Sequence, residues 1–169
     1  MSSIFLVGMP GVGKTYWGRK LAAKYDYTFA DLDEEIQQAA GKTIEGIFET
    51  EGEAYFRQQE TRCLEQFFTK NKTIIACGGG TPVYNNNLEL MKQNGCVVYI
   101  KADINTLTDR LWQDENTRPL LNGEHIQEKL ERLYQERRTY YEQAHYTVQA
   151  DETIIANFEQ IIALCTERH

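Results

Sequence analysis

The stretch Gly8-Met9-Pro10-Gly11-Val12-Gly13-Lys14-Thr15 constrains this chain more than any other. It fits G-x-x-x-x-G-K-[ST], a loop whose glycines let the backbone curl until its N–H groups point inward at phosphate oxygens. An apolar run at 4–7 precedes it and reads as a buried strand. A helical stretch at 16–25 follows and adds the positive end of its dipole. In that setting Lys14 reaches the β- and γ-phosphates of a nucleotide, and the Thr15 hydroxyl takes a Mg²⁺ ion.

Strand and helix signals alternate along the rest of the chain. Strands are predicted at 27–30, 73–77, 96–100 and 146–148, and helices at 34–40, 43–68 with a break near Gly52, 88–94, 104–112, 126–144 and 153–165. The segment 114–124 is polar and turn-rich, hence a loop. Strands separated by helices imply right-handed crossovers and a parallel sheet covered on both faces. In such sheets a ligand lies beyond the carboxyl ends of the strands. The residues that follow strands are therefore the ones to examine.

Composition bounds the partners. The chain has 169 residues and a net charge of −7, with no basic patch for a nucleic acid. An anionic substrate must then be held by local cations, which gives weight to single arginines. No apolar run approaches a membrane span, and the start lacks a signal-peptide pattern. Cys63, Cys77, Cys96 and Cys165 are scattered without a CxxC pair, so they read as reduced, mostly buried thiols in a cytoplasmic protein.

Asp31 and Asp33 follow the second strand, two apart and so on one side of an extended backbone. One can hold the water shell of Mg²⁺ and the other can accept a proton from a substrate hydroxyl; either can also cap the next helix. Arg57 and Glu60 share a helix face, so the carboxylate can hold the arginine ready to fork onto a ligand carboxylate. Phe48 and Phe56 share another face and read as core. Gly78-Gly79-Gly80 ends the third strand and lets a ligand approach the backbone closely. Arg118 lies in the polar loop, where it can swing onto a transferring phosphoryl group, with Leu120 and Leu121 as an apolar seat. Arg110 stands near the adenine side or on a plain helix surface. Arg137 or Arg138 can reach the site from the long late helix. The three histidines form no cluster.

Taken together, GMPGVGKT at 8–15, DLD at 31–33, GEAYFRQQE at 52–60, GGG at 78–80 and TRPLL at 117–121 resemble the shikimate kinase family, over nearly the whole chain. The resemblance implies one domain over 1–169: a three-layer α/β/α P-loop kinase fold around a five-stranded parallel sheet. It implies a substrate-binding region at about 32–60 and a lid at about 112–124. It also implies ATP-dependent phosphorylation of the 3-hydroxyl of shikimate by a cytoplasmic monomer. Asp33, Arg57, Gly79 and Arg137 would bind shikimate, with Glu60 holding Arg57. Gly11, Val12, Gly13, Lys14, Thr15 and Tyr16 would bind ATP, Arg110 would lie against adenine, and Thr15 and Asp31 would serve Mg²⁺. Lys14, Asp33 and the lid arginine Arg118 would act in catalysis. The family's R-x-P-x-Y motif is broken here, because Arg137 is followed by Arg138 and Thr139 with no proline. A kinase of the same fold acting on gluconate or a nucleotide is the second reading. A P-loop switch is the third, and the N-K-x-D motif it would need is missing.

Overall fold

β1 (Ser3–Val7) is buried at every position. Successive strand residues point to opposite faces, so a strand with no exposed residue must be covered on both sides. Burying Ile4, Phe5, Leu6 and Val7 completely contributes about 1.5–3 kcal/mol for each side chain. The computed structural model describes residues 3–113 and 125–167. It places β1 at the centre of a five-stranded sheet of order β2-β3-β1-β4-β5, with every pairing parallel. The other strands are β2 (Thr28–Asp31), β3 (Thr73–Ala76), β4 (Gly95–Lys101) and β5 (Tyr146–Gln149).

The helices are α1 (Lys14–Tyr25), α2 (Leu32–Ala40), α3 (Ile44–Glu51), α4 (Glu53–Glu65), α5 (Asn87–Asn94), α6 (Ile104–Gln113), α7 (Ile126–Tyr141) and α8 (Thr153–Glu167). α1 packs on β2 and β3, α5 on β4 and α8 on β5, while α2, α3 and α4 pack mainly on one another beside the β2 edge. None of the described helices is long and apolar enough to cross a membrane.

The expected break at Gly52 is real. Gly52 sits at φ 85°, ψ 172°, a conformation closed to side-chain-bearing residues, and it separates α3 from α4. α4 then ends at Glu65 rather than running to residue 68, because 66–69 close in turns. A 3₁₀ turn at Thr81–Val83 follows the three glycines and has no periodic signal in the sequence. Asp31 closes β2 and also caps α2, its Oδ1 accepting from the N–H groups of Asp33 and Glu34.

Two sequence expectations need correction. Cys96 and Cys165 are not reduced thiols but a disulfide; the start of β4 and the end of α8 bring their Cα atoms to 5.8 Å across 69 residues of sequence. Cys63 and Cys77 are free and buried, as expected. Phe56 is core, but its partner Phe48 is 37% exposed, with the two ring centroids 4.7 Å apart.

Candidate active site

The P-loop leaves β1 between its neighbours β3 and β4, and it is folded by its glycines. Gly11 at φ 79° and Gly13 at φ 96° take left-handed turns that L side chains resist. A Cβ on Gly8 would stand 2.4 Å from the backbone oxygen of Ile100, so β4 seals that position. Lys14 folds back over the loop, donating to the carbonyls of Gly8 at 2.7 Å and Met9 at 2.9 Å. The Thr15 hydroxyl donates to Asp31 Oδ2 at 2.5 Å, so the end of β2 meets the start of α1. Arg110 Nη1 donates to the Val12 carbonyl at 2.9 Å and Nη2 to that of Ala150 at 3.4 Å. Arg110 thus braces the loop from α6 rather than standing free on a helix surface. Tyr16 is 60% exposed, its ring edge-on against Trp17.

A cavity of about 390 Å³ opens beyond the carboxyl ends of β1, β2 and β3, lined by Lys14, Thr15, Asp31, Asp33, Cys77 and Gly79 among others. A larger depression, lined by Glu34, Gln37, Lys42 and Thr43 among others, is open surface. Within the cavity the charges perturb one another. Desolvation raises the Asp33 pKa to about 6, helped by Asp31 and Glu60 and opposed by Lys14 and Arg57. Desolvation lowers Lys14 to about 8, against the pull of Asp33. Burial pushes the Cys77 thiol far above its ordinary range, so it stays neutral.

The three glycines are a meeting point of side chains. A Cβ on Gly78 would lie 3.2 Å from Glu60 Oε2 and 3.3 Å from Asp33 Oδ1. On Gly79 it would lie 2.9 Å from Arg137 Nη1, and on Gly80 2.8 Å from Arg57 Nη2. Each missing side chain makes room for a different charged group. Glu60, with no exposed surface, accepts from Arg57 Nη1 at 2.9 Å and from the Thr81 hydroxyl at 2.6 Å. The Arg57 guanidinium lies 4.0 Å from the Tyr84 ring centroid and 5.1 Å from that of Phe56. Its Nε is buried with no hydrogen-bond partner among the described residues.

The choice between the two late arginines is made by helix phase. Arg137 turns inward to Gly79 and Tyr141, whereas Arg138 is half exposed and pairs with Glu142 at 3.3 Å. Arg118, Leu120 and Leu121 lie outside the described residues. Sequence reading did not single out Thr81, Tyr84 or Tyr141. Tyr141 could have been found, since it stands four residues from Arg137 on the same helix face. Tyr84 reaches Arg57 only because the 3₁₀ turn carries it there.

The match to known proteins follows the same geometry. The family model for shikimate kinase matches residues 10–166. The chain belongs to the shikimate kinase family. A family member from Sulfurihydrogenibium sp. is 39% identical over 90% of this chain and 90% of its own. The crystal structure of shikimate kinase from Bacteroides thetaiotaomicron superposes with a TM-score of 0.88 at 31% identity, covering 98% of both chains. Shikimate kinase from Acinetobacter baumannii, solved in complex with shikimate, gives a TM-score of 0.86 at 35% identity over 99% of this chain and 94% of its own. The kinase fold expected from the motifs is therefore the family's fold.

Proposed function

We propose that this family member transfers the γ-phosphoryl group of ATP to the 3-hydroxyl of shikimate, a step toward the aromatic amino acids. The observation that carries the reading is the convergence of Asp33, Arg57 and Arg137 on one glycine turn, beside the P-loop lysine. Two guanidinium groups suit a carboxylate, and a carboxylate beside them suits a hydroxyl. The region at about 32–60 supplies most of this acceptor half, and the chain works as a monomer on small molecules.

Each residue then has a task. The inward N–H groups of Gly11 to Tyr16 hold the phosphates, and Arg110 keeps that loop in shape from the adenine side. Arg57 and Arg137 clamp the shikimate carboxylate, with Glu60 and Thr81 fixing the first clamp. Gly79 lets the ring approach the backbone. Asp33, ionised above about pH 6, accepts a hydrogen bond from the 3-hydroxyl and takes its proton as the oxygen attacks γ-phosphorus. The bond from γ-phosphorus to the bridging oxygen breaks, and ADP leaves with the electron pair. Lys14 neutralises charge on the phosphates, and Arg118 adds a second cation from the lid at about 112–124. The adjoining Thr15 hydroxyl and Asp31 carboxylate are hard oxygen donors that fit Mg²⁺, which needs few protein ligands when phosphates complete its shell. When bound, Mg²⁺ supplies charge neutralisation on the phosphate oxygens.

Steady-state ADP release from Mg²⁺-ATP tests the reading, with shikimate, quinate and gluconate as acceptors. Release that depends on shikimate and is weak with the others is the expected result. Nucleotide binding without shikimate-dependent turnover would overturn it.

A further inference from the structure

The three carbonyls of the glycine turn are held in different ways. Those of Gly78 and Gly80 accept from the backbone N–H groups of Thr81 and Val83, inside the 3₁₀ turn itself. The middle one, of Gly79, accepts instead from the Tyr141 hydroxyl at 2.6 Å, across 62 residues of sequence. Tyr141 is the last residue of α7 and is wholly buried. Its ring stacks on Tyr99 of β4, with centroids 5.2 Å apart and planes 25° apart. The Arg137 guanidinium lies against the same turn, its Nη1 2.9 Å from where a Cβ on Gly79 would stand, and its charge is felt at the Tyr141 hydroxyl. A phenol has one proton to give and lone pairs to accept with. Here the proton goes to Gly79.

We propose that Tyr141 is a positioning residue for the acceptor: its buried hydroxyl anchors the Gly79 peptide, the surface against which the Arg137 guanidinium lies. The inference rests on the reading that Gly79 and Arg137 hold shikimate. A run of three glycines has more backbone freedom than any other tripeptide, and a binding surface made of it needs an external anchor. Fixing the Gly79 carbonyl fixes the whole planar peptide to Gly80, whose Cα faces Arg57. One hydroxyl therefore holds the backbone that abuts both clamp arginines. Burial raises the Tyr141 pKa to about 12, so the donor keeps its proton throughout the working range. The ring stacking on Tyr99 is independent of the hydroxyl, so removing the oxygen alone leaves the packing in place.

Y141F tests this with three readouts. The shikimate KM rises about three- to tenfold, as for one lost hydrogen bond, while the ATP KM stays within about twofold. The melting temperature moves by only a few degrees. In an R137A background the effect of Y141F on the shikimate KM falls below half its value in the wild type, because Tyr141 acts through the peptide against which Arg137 lies. An unchanged shikimate KM, an equal rise in the ATP KM, or full additivity with R137A would each overturn the assignment. Wild-type protein without shikimate-dependent turnover would instead sink the functional reading on which it rests. Active wild-type protein with an indifferent Y141F sinks this inference alone.

Discussion

Asp33 and Lys14 share one cavity, and each is held near neutrality by burial working against the other's charge. Asp33 loses its basic form as pH falls through about 6, and Lys14 loses its charge as pH rises through about 8. The kcat/KM profile of the free enzyme is therefore expected to be bell-shaped between those two apparent values. D33N removes the acid limb and lowers kcat by about 10²–10⁴, with ATP affinity little changed. The same substitution stabilises the protein at pH 7. The folded pKa of Asp33 lies above its unfolded value, so the cost of charging it is absent below about pH 4 and complete above about pH 6. A thermal melt should rise by about 2–4 °C for each kcal/mol relieved, and a fall at pH 7 would contradict the desolvation argument. R57A raises the shikimate KM about 10- to 100-fold while leaving ATP binding intact, since charged hydrogen bonds are lost on one substrate only. Normal KM values for both substrates would remove Arg57 from the clamp. The Arg57–Glu60 pair was legible in sequence because helix spacing dictates it. The Thr81 hydroxyl and the Tyr84 ring that complete the setting were not, because they arrive from another element.

At the scale of elements, the glycines separate into those that make the fold and those that make the site. A Cβ at Gly8 would collide with the Ile100 backbone, and φ is 150° there. G8A is therefore expected to lose soluble, folded protein. At Gly79 a Cβ meets the tip of Arg137 at 2.9 Å and the Pro10 ring at 3.1 Å, and the backbone is not left-handed. G79A should fold, with a melting temperature within a few degrees of wild type, yet bind shikimate at least about tenfold more weakly because Arg137 is displaced. Circular dichroism and shikimate titration separate the two; a G79A protein with wild-type affinity would show that Arg137 yields without consequence. The alternation of strands and helices was legible because each element keeps its own hydrophobic period. The 3₁₀ turn was not, being too short for any period to register. The Arg137 or Arg138 ambiguity had the same origin: both are charged, and only the rotation of α7 against the sheet decides which one faces in.

For the whole molecule, the sheet order follows from the sequence only as far as parallel strands and crossovers. Which strands become neighbours depends on packing, as does the meeting of Cys96 with Cys165. That disulfide lies at the amino end of β4, level with Ile4 at the start of β1 and so away from the P-loop that leaves Val7. Closing 69 residues stabilises the fold by about 4 kcal/mol through the entropy of the unfolded chain. Dithiothreitol is thus expected to lower the melting temperature by roughly 10 °C without changing kcat or either KM at 25 °C. A melt that is indifferent to reductant would mean that the bridge adds nothing to stability.

The position of β1 also sets a gradient across the molecule. It is hydrogen-bonded on both sides by β3 and β4, whereas β2 has only β3 beside it and carries the acceptor helices on an edge. Local opening is easiest where fewest strands must part. Amides of β1 should therefore be among the last to exchange with deuterium and those of β2 and α2 to α4 markedly earlier, as mass spectrometry of peptic fragments would record. The phosphate half would then be an anvil, and the acceptor half the jaw that moves against it.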